Sequence, residues 1–186
     1  MQRFITLAFN TLLLLSLNAA TPETHYTVIV SLDGFRWDYP DMYKTPNLDR
    51  MAADGVKAVM LPSYPASTFP NHYTLATGLV PDHHGIINNT FWDVKNRRQY
   101  SMGDSATRNN PEYYLGEPIW ITAQKQGVKT GNMYWVGSDI AIKKSHPTYY
   151  RPWNAKPFLT FEQRIDTVLT WLQKPEPERP RLCLLY

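Results

Sequence analysis

A single cysteine, Cys183, stands in this sequence of 186 residues, so no internal disulfide can form and stability must come from packing or a bound ion. Charge of one sign is also scarce. Nineteen Lys and Arg stand against 16 Asp and Glu, a net charge of only +3. No Lys/Arg cluster is dense enough to track a phosphate backbone, which argues against a nucleic-acid-binding module. Asn96-Arg97-Arg98 reads as a solvated turn. Long apolar runs are missing as well: the stretch from Phe4 to Leu17 is broken by Asn10 and falls short of the roughly 20 residues a membrane span needs. There is no internal repeat and no low-complexity segment. With 43% hydrophobic residues, the chain is not of the disordered class.

What is present begins with an export signal. Arg3 supplies a positive start, Leu12 to Leu15 an apolar centre, and Asn18-Ala19-Ala20 a small-residue end before Thr21-Pro22. This layout assigns residues 1–20 to a cleavable signal peptide, cut near Ala19 or Ala20, rather than to an anchor or a buried helix. The mature chain, 21–186, is then secreted or periplasmic. The lack of a disulfide framework tilts the choice towards a bacterial periplasm.

Alternating patterns give the fold class. Tyr26–Leu32 is a β-branched apolar run ending at Asp33-Gly34, a buried strand followed by a tight turn. Thr45–Gly55 reads as a helix with Pro46 at its first position and Gly55 closing it. A short strand is expected at Val56–Met60, a helix from near Thr68 to about Gly78, and largely irregular chain from Pro81 to Pro111. Pro118–Gln126 reads as a helix, Lys129–Trp135 as a strand and Phe161–Lys174 as a helix. In the last of these, apolar positions 161, 165, 168, 169 and 172 form the stripe expected to pack on a sheet. Arg181–Tyr186 is a further apolar strand, and the chain's ending within it raises the expectation of a truncated domain. Strands alternating with helices predict an α/β domain of three layers around a mainly parallel sheet.

Two sites carry chemistry. Asp33 lies at the carboxyl end of the first strand, where such sheets place ligands and a carboxylate can hold a cation; the alternative is a turn aspartate bonding its own backbone. Thr68 opens a helix, where free N–H groups and the helix dipole favour negative charge. Beside a divalent cation its hydroxyl becomes a nucleophile for phosphorus; the alternative is an N-cap.

Successive segments decide between these readings. Ser31-Leu32-Asp33-Gly34-Phe35-Arg36, Thr68-Phe69-Pro70-Asn71-His72-Tyr73, and Thr77-Gly78-Leu79 with His84-Gly85-Ile86-Ile87 resemble motifs of the nucleotide pyrophosphatase/phosphodiesterase family, within the alkaline phosphatase superfamily. The likeness continues through Gly116-Glu117-Pro118-Ile119-Trp120, Trp135-Val136-Gly137-Ser138-Asp139 and Thr167 to Leu172, in order, from about Val28 to the last residue.

The resemblance implies a three-layer α/β/α alkaline-phosphatase-like domain, here its N-terminal part, with two Zn2+ ions. Asp33 matches a metal ligand. Thr68 matches the nucleophile, which also binds metal and passes through a phospho-threonine, and Asn89 matches the amide that donates to a non-bridging phosphate oxygen. Phe69 falls where the family stacks a nucleobase. Trp153, with Tyr149 and Tyr150, would supply a second stacking face, and Asp139 could bond a base or an ordered water. The remaining ligands of the family's zinc sites are absent from this sequence, and none of its five histidines matches a ligand position. The implied reaction is hydrolysis of nucleotide phosphodiester or pyrophosphate bonds, with little turnover expected of the 186-residue chain alone. Lipid or choline phosphodiesters, phosphonates, a non-catalytic fragment and a nucleotide-binding module are the alternatives.

Overall fold

The computed structural model describes residues 24–186; the expected signal peptide lies outside them. In chain order the elements are β1 (Thr27–Val30), α1 (Tyr39–Met42), α2 (Pro46–Asp54), α3 (Thr68–Thr77), α4 (Pro81–His84), β2 (Thr90–Asp93), β3 (Arg98–Ser101) and α5 (Ser105–Arg108). They continue with α6 (Ile119–Lys125), β4 (Thr130–Met133), β5 (Tyr149–Arg151), α7 (Phe161–Leu172) and β6 (Leu182–Leu185). Among them no helix is long and apolar enough to cross a membrane.

The main sheet runs β1-β6-β4-β5 with every pairing parallel. Side chains along a strand alternate between faces, and the two central strands show it. Leu182 and Leu184 of β6 join Phe69, Tyr73, Trp120 and Trp135 in one core, while Cys183 and Leu185 join Met133 and Val168 in another. The first core lies under α3 and α6 and the second under α7, which gives the three layers. Gly131 of β4 is needed for the second: a Cβ there would stand 2.8 Å from Cε3 of Trp171 on α7, so only glycine lets that helix approach.

Helix ends follow their residues. Thr160 and Gln163 form a reciprocal capping box at the start of α7. Gly78, with φ of 70°, takes the left-handed turn that ends α3.

Four expectations need correction. Val56–Met60 forms no strand. Val56 is 93% exposed, and without a neighbouring strand an extended segment has nothing to pair with. The stretch from Pro81 to Pro111 is not irregular but holds α4, α5 and an antiparallel hairpin of β2 and β3. Phe91 stacks on Tyr100 across that hairpin, at 4.6 Å between ring centroids. The stripe on α7 is only partly covered: Val168 is buried, whereas Phe161 and Ile165 are 71% and 48% exposed. The fourth concerns the tyrosines, Tyr149 and Tyr150, which form β5 and pair with β4 rather than lining a slot.

Candidate active site

Residues far apart in sequence meet at the carboxyl end of β1 and β6. After β1 the chain turns over Leu32–Phe35, with the Phe35 N–H bonded to the Leu32 carbonyl and Gly34 at φ of 71°. The turn presents Asp33. Thr68 comes from the other side as the first residue of α3, with Ser67 at the N-cap position, so its hydroxyl is free for other work. It donates to Oδ2 of Asp33 at 3.0 Å, and the Tyr186 hydroxyl donates to the same oxygen at 2.8 Å. Burial, followed by the bond to Asp33, raises the Tyr186 pKa well above the ordinary phenol value. Asp33 thus sits between two hollows. One, of about 360 Å³, is also lined by Ser67, Thr68 and Asn71; the other, about 630 Å³, is lined by Phe35, Arg164 and Tyr186.

Asn89 reaches the same place from the segment before β2. Its Oδ1 accepts the Phe69 N–H at 2.8 Å, which fixes the amide beside the first turn of α3 and leaves Nδ2 as its donor. A neutral amide donor there can stabilise a phosphodiester oxygen without adding charge.

Two neighbours of Thr68 lock this turn. Asn71 accepts the Ser63 N–H at 2.8 Å and donates to the carbonyls of Ser63, Pro65 and Ser67, tying the preceding loop to the helix. His72 Nδ1 lies 2.7 Å from the Thr68 carbonyl and Nε2 lies 2.8 Å from the Ser31 hydroxyl. His84, by contrast, is a core residue: Nδ1 accepts the Ile86 N–H and Nε2 faces the Pro70 carbonyl. For both histidines burial is the main cause of a lowered pKa.

The residues expected to bind a base sit less simply. Phe69 is fully buried in the core, Trp153 meets it edge to face at 5.0 Å, and Tyr186 lies tilted against the indole at 4.7 Å. The two rings touch each other rather than flank a gap. Tyr149 points elsewhere, stacking on Trp171 and donating to the Glu178 carbonyl, and Tyr150 stacks on His146. Asp139 is not poised at an open face. Its side chain is 7% exposed, 4.0 Å from Nε of Arg108, and burial raises its pKa despite that cation.

Metal-binding capacity is partial. Asp33 and Thr68 offer two oxygens close together, whereas zinc takes four ligands. Among the described residues no group of three His, Cys, Asp or Glu could hold an ion. These residues alone do not close a metal site. Sequence reasoning missed Tyr186, Ser31, Asn71 and His72 as parts of this site. Of these, Ser31, Asn71 and His72 lie inside the two motifs that carried Asp33 and Thr68, which is the signal that could have found them.

Residues 27–186 match the model of a family described as type I phosphodiesterase / nucleotide pyrophosphatase. Ectonucleotide pyrophosphatase/phosphodiesterase family member 3 of Bos taurus is 42% identical over 162 residues, covering 86% of this chain and 18% of its own. Family member 1 of Homo sapiens is 44% identical over 167 residues, with 88% and 18% covered. Venom phosphodiesterase 2 of Crotalus adamanteus is 40% identical over 162 residues, covering 86% and 20%. The chain therefore spans about a fifth of the length of these relatives. Among solved structures, murine ectonucleotide pyrophosphatase/phosphodiesterase 5 superposes with a TM-score of 0.78 at 33% identity, over 87% of this chain and 42% of that one. That structure is an inactive threonine-to-alanine form in complex with AMP.

Proposed function

Because the chain belongs to the type I phosphodiesterase / nucleotide pyrophosphatase family, we propose that it carries the nucleophile half of a site hydrolysing nucleotide phosphodiester or pyrophosphate bonds. One observation carries the reading. The Thr68 hydroxyl, at the N-terminus of a ten-residue helix, directs its proton at Asp33 from 3.0 Å, with the Asn89 amide beside it. The inactive relative with AMP bound, altered at a threonine, supports the same role for a threonine here.

In this reading the oxygen of Thr68 attacks phosphorus as the bond to the leaving oxygen breaks, giving a phospho-threonine. Water then releases the nucleoside monophosphate and restores the hydroxyl. The proton of Thr68 has its acceptor in Asp33. Asn89 donates to a non-bridging oxygen, where charge is concentrated on the way to the five-coordinate arrangement. The helix N-terminus adds a favourable dipole. Zinc ions bound at Asp33 and Thr68, with ligands from outside this chain, would lower the hydroxyl pKa and screen the diester. Trp153 is the half-buried aromatic on which a base would stack, and Phe69 is its backing. The relatives carry the prefix "ecto", which accords with export of this chain.

The test is hydrolysis of the 4-nitrophenyl ester of thymidine 5′-monophosphate by a polypeptide that contains this chain and completes the metal site. Turnover should need zinc and vanish in Thr68→Ala, while nucleotide binding persists. Near-normal turnover in that variant would remove Thr68 from the role. Preference for a choline phosphodiester over the nucleotide ester would reassign the substrate.

A further inference from the structure

The hydrogen-bond partners of His72 determine its tautomer. The Thr68 carbonyl can only accept, so Nδ1, at 2.7 Å, carries the proton. In a neutral ring Nε2 is then the acceptor, and the Ser31 hydroxyl donates to it at 2.8 Å. The ring is almost wholly enclosed, with Trp135 and Tyr186 meeting it edge to face. The ring has no spare nitrogen for an ion or a proton shuttle, and its backbone carbonyl is taken too, by the Trp135 indole N–H at 3.2 Å.

The geography of this chain of bonds is more telling. Ser31 precedes Asp33 by one residue-pair step along the same segment, and its own N–H is held by the Leu185 carbonyl of β6 at 2.8 Å. The bond from its side chain crosses to α3 and ends at the carbonyl of Thr68 itself. The two segments that bring Asp33 and Thr68 together are therefore cross-linked directly behind the pair. In front, Tyr186, the neighbour of Leu185, holds the Asp33 carboxylate. Among the described residues, the Thr68–Asp33 bond is the other side-chain hydrogen bond between the first turn of α3 and the segment leaving β1, and a substrate would have to compete with it.

We infer that Ser31 and His72 are positioning residues, a Ser31–His72–Thr68 carbonyl relay that fixes the distance and orientation of the Thr68 hydroxyl relative to Asp33. The inference rests on Thr68 being the nucleophile for its bearing on catalysis, but not for its geometry. Without the relay, α3 and the end of β1 are free to separate by a few tenths of an ångström and the hydroxyl loses its single orientation. Misplacement of that kind is costly in reactions governed by alignment.

The experiment is carried out on the folded chain by NMR, so it does not depend on turnover. Long-range nitrogen–proton spectra should show His72 protonated at Nδ1 and bare at Nε2. Three-bond couplings to the Thr68 methyl should report one side-chain rotamer in the parent and in Ser31→Thr, and averaging over rotamers in Ser31→Ala. The buried Thr107 serves as a control whose couplings stay fixed. His72→Phe, which keeps the aromatic edges, should behave like Ser31→Ala; if it fails to fold, the serine pair still decides. An Nε2-protonated ring, or a Thr68 that keeps one rotamer in Ser31→Ala, overturns the relay. So does a loss of order that Thr107 shares, because that is general loosening. In the zinc-loaded polypeptide, Ser31→Ala should lower kcat roughly ten- to a hundredfold with little change in KM, and Ser31→Thr should restore it. If Thr68→Ala proves active while the couplings behave as described, the proposed nucleophile fails and the relay stands.

Discussion

Arg108 and Asp139 face each other in an enclosed part of the fold, and their separation sets what a double-mutant cycle should read. Nε and Oδ2 are 4.0 Å apart, and the side chains are 6% and 7% exposed. Two unit charges at that distance attract by about 4 kcal/mol at an effective dielectric of about 20. Against this stands a desolvation cost of several kcal/mol per ion. The net pair is therefore worth little, while each partner alone is costly. Neither Nε of Arg108 nor Oδ1 of Asp139 has a hydrogen-bond partner among the described residues, so the geometry is not ideal and the full attraction is not realised. Arg108→Met should destabilise the chain by about 3 kcal/mol, because it strands a buried carboxylate. Asp139→Asn should cost less, since Arg108 keeps its bond to the Met102 carbonyl. The double variant should sit near the parent, which sets the coupling read from urea midpoints at about 3 kcal/mol or more. A coupling below about 0.5 kcal/mol would refute the pair as an electrostatic unit.

The pH dependence of the same cycle has a definite sign. Burial raises the Asp139 pKa in the folded chain above its unfolded value, despite Arg108. The folded state then holds that proton more tightly. The cost of ionising the group is absent below the unfolded pKa, about 3.9, and fully present above the raised folded one. Asp139→Asn should therefore compare more favourably with the parent at pH 8 than at pH 4. The opposite trend would mean that the attraction to Arg108 outweighs burial.

Three other outcomes are open to measurement. Burial pushes the Cys183 thiol up to about 11, so at pH 8 the folded chain should resist thiol reagents and react only on unfolding; fast labelling under native conditions would contradict the packing of β6. Trp153→Ala should raise KM for nucleotide esters by roughly 5- to 150-fold, the value of about 1–3 kcal/mol of stacking, and leave bis(4-nitrophenyl) phosphate unaffected. Equal losses on both substrates would deny it a role in holding a base. Asn71→Ala frees the Ser63 N–H and three carbonyls at once, and should cost about 2 kcal/mol or more with faster amide exchange across 63–67. Unchanged exchange there would show that the loop is held by something else.

Local pattern made several parts of this fold readable. Helix α3 appears where the sequence placed it because Gly78 can end it and its inward residues, Phe69, Tyr73 and Ala76, recur at helical spacing. β6 and β4 stood out because both of their faces are buried. β5 did not, since Tyr149–Arg151 is short and becomes a strand only by pairing with β4. The hairpin escaped notice because its turn uses Asn96 and Arg97 rather than an Asn-Gly pair, with Arg97 at a positive φ of 50°. For the site, Asp33, Thr68 and Asn89 were legible through resemblance. Tyr186 was not: its bond to Asp33 joins residues 153 positions apart, and no local spacing encodes that. Asp139 illustrates the reverse case, a residue whose position in a motif was clear while its burial beside Arg108 was not.

β1 carries Asp33 at its end, yet among the described strands it lies at the sheet's edge, bonded to β6 alone. Val28 and Val30 are 45% and 57% exposed, so the strand contributes little apolar burial of its own. Segments of this kind open at a lower free energy than the core beside them. Each such opening would carry Ser31 and Asp33 away from Thr68 while α3, β4 and β6 stayed intact. The fold and the alignment of Asp33 with Thr68 thus have separate melting points, and conditions that leave the molecule spectroscopically native can already have unlatched the two.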